Sequence, residues 1–163
     1  MPRIILFLII ILPLISSGQF YQKKTYNIKK IDKGPKIDGL LNEDLWQKLT
    51  KATEFTQISP RNGEKERAKQ KTEVKICYDD KNIYFGVIMY DNSPDSILKE
   101  LSLRDEENKN FDMFSIFINP FNDGQMEYNF AITAAGVQID RKFSKSGIDK
   151  TWDAVWQSRV KII

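Results

Sequence analysis

Apolar residues recur at every second position along most of this chain. That is the period of a strand with one face in the core and one in water. Val74, Ile76 and Tyr78 alternate with Glu73, Lys75 and Cys77. The polar run Asp79-Asp80-Lys81-Asn82 predicts a turn, and Ile83 to Tyr90 is apolar apart from Gly86. The pair predicts a hairpin whose second strand is buried on both faces. Met113 to Ile118 forms another apolar run, closed by the turn residues Asn119-Pro120-Phe121-Asn122-Asp123-Gly124. Met126, Tyr128, Phe130 and Ile132 alternate next. After Ala135-Gly136, Val137, Ile139, Arg141 and Phe143 lie opposite Gln138, Asp140 and Lys142. Ser144 to Asp149 predicts a loop, and Trp152 to Ile163 a last strand.

Helix is scarce. Asn42 suits an N-cap for a helix over Glu43 to Leu49, with Leu45, Trp46 and Leu49 on one face. A second short helix is predicted from Pro94 to Leu101. Many short strands divided by turns predict a mainly β fold: an antiparallel β-sandwich with one or two short helices.

The opening segment has a different character. Arg3 precedes an apolar run, Ile4 to Ile15, broken only by Pro13 and followed by Ser16-Ser17-Gly18. This is the pattern of a secretory signal peptide cleaved after Gly18. It is too short for a transmembrane helix, which needs about 20 apolar residues. The expected organisation is a signal peptide at 1–18 and one domain at 19–163. The expected location is the periplasm, the outer membrane or the exterior.

Composition narrows the chemistry. Losing Arg3 leaves 24 basic residues against 22 acidic ones, a net charge of +2. That balance gives no nucleic-acid footprint. Lys65, Arg67, Lys69 and Lys71 are diluted by Glu64, Glu66 and Glu73 and read as a solvated loop. Cys77 is the only cysteine, so no internal disulfide forms, and its place in a strand predicts a small core residue. Histidine is absent. This removes Ser-His-Asp and Cys-His catalysis, His-based zinc sites and His-ligated haem. Asp79-Asp80 and Asn122-Asp123-Gly124 offer oxygens to calcium, but turn chemistry accounts for both.

Four segments in order resemble the family 9 carbohydrate-binding module. They are most similar to the version at the N-terminus of bacterial outer-membrane barrel proteins of unknown function. The first is Ile37-Asp38-Gly39-Leu40-Leu41-Asn42-Glu43-Asp44-Leu45-Trp46. The second runs from Thr72 to Asp80 and on to Ile83-Tyr84-Phe85-Gly86. The third is Arg104-Asp105 with Phe111 to Phe121. The fourth is Gly136 to Asp140, followed by Trp152-Asp153-Ala154-Val155-Trp156. The resemblance implies a β-sandwich that in some relatives grips the end of a sugar chain between two tryptophans. Such modules are often appended to glycoside hydrolases. It implies a polysaccharide or oligosaccharide ligand, a barrel or hydrolase domain as context, no catalysis and no cofactor.

The chain departs from that pattern in two places. Lys109 stands where sugar-binding members have a clamp tryptophan, and Ser115 where they have a sugar-contacting Glu. Relatives also continue beyond the Trp-Asp-Ala-x-Trp strand into a Gly-Trp turn. The domain at 19–163 therefore reads as an incomplete sandwich with an open C-terminal edge, marginal when isolated.

Sugar recognition needs aromatic faces and planar polar groups. Trp152 and Trp156 are four apart and share a strand face, as a stacking platform or as core. Trp46 reads as core. Arg104, Asp105 and Asp112 either line a polar site through bidentate hydrogen bonds or anchor a loop. The candidate sugar-binding residues are thus Trp152, Trp156, Arg104 and Asp112, with no catalytic or metal-binding residue. No pair of carboxylates stands out for glycoside hydrolysis. Two functions follow. One is an exported, non-catalytic carbohydrate-binding domain associated with polysaccharide breakdown. The other is a structural or interaction domain of an outer-membrane barrel protein that has lost the clamp.

Overall fold

The computed structural model describes residues 24–163. The expected signal peptide at 1–18 and its cleavage point lie outside the described residues. The fold is a β-sandwich of a three-stranded and a four-stranded sheet. The strands are β1 (Lys29–Lys30), β2 (Thr72–Tyr78), β3 (Ile83–Met89), β4 (Met113–Ile118), β5 (Met126–Thr133), β6 (Gln138–Ser144) and β7 (Gly147–Asp149). Among the described residues one short α-helix, α1 (Asp44–Gln47), lies between β1 and β2.

The first sheet has the order β1-β2-β3. The β2–β3 hairpin runs antiparallel from Thr72↔Met89 to Tyr78↔Ile83. Asp79 builds its turn. Its Oδ1 accepts the backbone N–H groups of Lys81 and Asn82, both at 2.8 Å. The Tyr84 hydroxyl donates to its Oδ2 at 2.7 Å. The predicted turn chemistry is therefore realised by hydrogen bonds.

Trp46, Leu49 and Cys77 form the buried centre of this half, packed by Ile31, Leu41, Leu45 and Tyr84. Cys77 is a free, buried thiol, as its strand position predicts. Gly86 explains the break in the apolar run of β3. A Cβ there would meet the Trp46 ring at 2.7 Å. The indole fills the space that a side chain would need. The Lys75 ammonium, buried on the same face, donates to the Trp46 carbonyl at 2.5 Å.

The second sheet has the order β4-β5-β6-β7, antiparallel throughout. Its strands alternate cleanly. One face carries Ser115 and Phe117 from β4, Asn129, Ala131 and Thr133 from β5, and Ile139, Arg141 and Phe143 from β6. The opposite face carries Tyr128, Phe130, Gln138 and Asp140. Gly136 makes the β5–β6 turn at φ 86°, a conformation that costs glycine nothing.

The structure corrects five expectations. α1 is one turn long and is preceded by Glu43 rather than capped by Asn42. The segment expected to be helical from Pro94 to Leu101 holds only a 3-10 turn at Pro94–Ser96, because Ile97 is already extended. β3 is not buried on both faces, since Ile83, Ile88, Met89 and Tyr90 are exposed. Ser144 to Asp149 is not all loop, because Gly147–Asp149 turns back and pairs with β6. Trp152 to Ile163 also forms no hydrogen-bonded strand, although residues 151–160 alternate in burial at period two.

Two predictions follow from the first sheet. Gly86→Ala pushes a methyl into the Trp46 ring and destabilises the chain by about 1–3 kcal/mol, read from urea denaturation. The Asp79 carboxyl is held below its ordinary value, chiefly by the Tyr84 hydroxyl and then by the Lys81 N–H. A depressed folded pKa adds stability that is complete above about pH 4 and is lost as pH falls through the folded value. Tyr84→Phe therefore moves the Asp79 titration upward, toward the ordinary carboxylate range, as carboxyl-carbon NMR will read. An unmoved titration would mean that the hydroxyl is not the cause.

Candidate functional site

The loop after the 3-10 turn determines what both faces of the second sheet present. β7 covers the outer edge of β6 only at 142–144. Farther along, the loop takes its place. The Asp105 N–H donates to the Gln138 carbonyl at 3.1 Å, and Asp105 Oδ1 accepts the Asp140 N–H at 2.9 Å. Asp105 does this at φ 64°, an unusual backbone for a non-glycine residue that Asp tolerates better than most. The loop thereby straddles the sheet edge. It sends Arg104 to one face and Glu107 to the other.

On the Arg104 side, the guanidinium binds Asp140 Oδ1 at 2.5 Å and Asp153 Oδ1 at 2.9 Å. It also donates to Gln138 Oε1 at 2.7 Å and to the Ala154 carbonyl at 2.9 Å. Asp140 is fully buried. Its carboxylate further accepts the Ala154 N–H at 2.5 Å and Trp156 Nε1 at 3.2 Å. Gln138 Nε2 donates to the Trp156 carbonyl at 3.2 Å. These contacts strap residues 152–158 across the sheet. Trp152 lies against Tyr128 and Phe130 at ring-centre distances of 5.0 and 5.7 Å, and Trp156 against Phe130 at 5.6 Å.

Of the four residues singled out from sequence, the structure thus brings Arg104, Trp152 and Trp156 together. The two indoles do share a face, and that face is half-buried on Phe130. Arg104 works as the loop anchor. Asp112 lies elsewhere: its Oδ2 accepts the Leu98 N–H at 3.1 Å. Ser102, Arg104, Gln138 and Ser158 line an open cleft of ≈ 540 Å³ beside the strap.

The other face holds groups that the sequence reading passed over. Phe117, Asn129 and Arg141 are cross-strand neighbours in one row. Arg141 is mostly buried, pairs with Glu107 at 3.0 Å, and keeps its Nε without a partner. Lys150 reaches the same Glu107 oxygen at 3.4 Å. Asn129 Nδ2 donates to Ser115 Oγ at 2.6 Å. Beside them, Phe117 and Phe143 meet edge to face at 5.5 Å, and Phe117 is 56% exposed. The accessible Phe117 ring thus lies on β4 of the same face, separated by the buried Asn129 amide from the Arg141, Glu107 and Lys150 cluster on β6. The signal was present in the alternation that puts Phe117 and Arg141 on one face. What could not be read was that Glu107, in an irregular loop, joins them. Lys109, at the departed clamp position, pairs instead with Glu100 at 3.3 Å.

Replacing Asp140 tests the strap. Asp140→Ala strands the Ala154 N–H and the Trp156 indole N–H, each costing about 1–3 kcal/mol if left buried. The expected result is lower stability with red-shifted tryptophan emission, as residues 152–158 lift away from Phe130. Unchanged emission would show that the carboxylate does not hold the strap.

No curated protein and no solved structure matches the chain. A family model described as "Carbohydrate family 9 binding domain-like" matches residues 37–163. That span covers α1, both sheets apart from β1, the loop that straddles β6 and the strap. On that match the chain belongs to the carbohydrate family 9 binding domain-like family.

Proposed function

We propose that this chain is an exported, non-catalytic carbohydrate-binding domain that works within a polysaccharide-degrading system. The observation that carries the reading is the exposed Phe117 ring, on the same sheet face as Arg141 and the Glu107 paired to it. A pyranose presents apolar C–H groups on its faces and hydroxyls around its rim. Phe117 supplies an apolar surface for the first. The planar Arg141 guanidinium and the Glu107 carboxylate supply paired hydrogen bonds for the second. The family membership supports the same ligand class. Export rests on the Arg3–Gly18 pattern, and a glycoside hydrolase or outer-membrane barrel as parent or partner rests on the family resemblance.

A second reading has its own observation. Trp152 and Trp156 pack on Phe130 and serve the strap. Lys109 and Ser115 stand where sugar-binding relatives carry Trp and Glu. These features favour a structural or interaction domain of a barrel protein in which the sugar clamp has been lost.

Calorimetry with xylo- and cello-oligosaccharides separates the two. Binding that Phe117→Ala weakens about tenfold, the worth of one good stacking contact, supports the first. The side chain is exposed, so its loss leaves the fold intact. An absence of heat from a folded chain supports the second.

A further inference from the structure

We propose that the sugar this chain takes carries an acid group, a carboxylate or a sulfate ester, and that Lys150 binds that group. The proposal rests on the carbohydrate-binding reading above and names the ligand class for the same face. That face lies on the opposite side of the second sheet from the strap, whose tryptophans pack on Tyr128 and Phe130.

The register sets out what a ligand meets. One row runs from Phe117 on β4 through Asn129 on β5 to Arg141 on β6. The neighbouring row holds Glu127 on β5, Phe143 on β6 and Ile148 on β7. Phe117 meets Phe143 at 5.5 Å between ring centres, and Phe143 lies directly across from Ile148. Phe117 and Ile148 are both exposed. An apolar strip thus reaches from β4 to β7. With neighbouring strands about 4.8 Å apart it spans about 14 Å, which is room for more than one sugar ring.

The strip ends in unbalanced charge. Lys150 follows β7 by one residue, so it falls on the same face as Ile148. Lys150 and Arg141 reach the same Glu107 oxygen, at 3.4 and 3.0 Å. One carboxylate cannot neutralise two cations, and Lys150 pairs with no other carboxylate among the described residues. The Arg141 side chain is 15% exposed and that of Lys150 62%. The surplus charge is therefore carried by the group that a ligand can reach. Asp149 belongs to the other face, opposite Lys142. Glu127 lies on this face but two strands from β7, about 10 Å away. An acid group is thus attracted at the Lys150 end of the strip and repelled at the Glu127 end, which gives the ligand a direction. A neutral sugar would cover the strip and leave the ammonium without a counter-charge.

Calorimetry with an oligogalacturonate and with its methyl ester reads the acid group alone, because the two share one ring. The acid is expected to bind about tenfold more tightly at low salt, the worth of one hydrogen bond between charged groups. About 0.3 M NaCl is expected to erase most of that difference by screening. Lys150→Glu is expected to reverse the preference and Lys150→Arg to keep it; the side chain is exposed, so both variants fold. A sulfated galactan oligomer run in parallel tells which acid is the natural one, and a preference for either over neutral sugar supports the proposal. Equal binding of acid and ester, both weakened by Phe117→Ala, would overturn this proposal and leave the carbohydrate-binding reading standing. A preference that Lys150→Glu leaves in place would overturn it as well. No heat with any sugar, neutral or acidic, would overturn both.

Discussion

A buried carboxylate organises the second half of this molecule. Asp140 is inaccessible to water, yet it carries a charge that must be matched. Arg104 supplies the matching charge, and the Ala154 amide and Trp156 indole supply further donors. Burying an ion in this way contributes little net stability when the geometry is good and is costly when one partner is missing. Its effect is therefore to specify an arrangement. The loop, β6 and the strap are held in one mutual position because no other satisfies the same oxygens.

The two faces of the sheet then divide the labour. One is covered by aromatic contacts among Tyr128, Phe130, Trp152 and Trp156. The other is buried around Ala131, Thr133 and Ile139 but opens toward Phe117. Glu107 and Arg104 leave the same short loop for opposite faces. Polar chemistry on the open face and the anchoring of the strap thus share one backbone support.

Much of this was legible in the sequence where the signal is periodic. Val74–Tyr78, Met113–Ile118 and Met126–Ile132 appear as strands where the alternation puts them, although in the first and last the deeper face holds Lys75 and Cys77, or Asn129, Ala131 and Thr133, rather than the larger apolar residues. The hairpin turn at Asp79 was legible because an Asx side chain bonds to the backbone nearby. The pattern failed where the deciding contact is distant. Gly86 looked like a gap in a doubly buried strand, and it is a seat for Trp46, 40 residues away in sequence. Trp152–Ile163 carries a strand period without a ladder, because side chains of β6 and the loop take the place of a neighbouring strand. Arg104 was recognisable as a charge of consequence, but its partner Asp140 lies 36 residues on. No local rule links the two. Asp112, nearer in sequence, accepts the Leu98 N–H instead.

Asp105 has a consequence for how β6 is kept from pairing with other chains. A β-strand with an uncovered flank recruits other chains, and many folds protect it with a charge, a proline or a bulge. Here a single residue in the left-handed region does the work. It offers β6 one amide hydrogen and one carboxylate oxygen where another strand would have offered its backbone. The flank is thereby sealed by an imitation of a neighbour two atoms wide. Glycine at 105 would keep the backbone and lose the carboxylate, unsealing the flank without altering the chain's path.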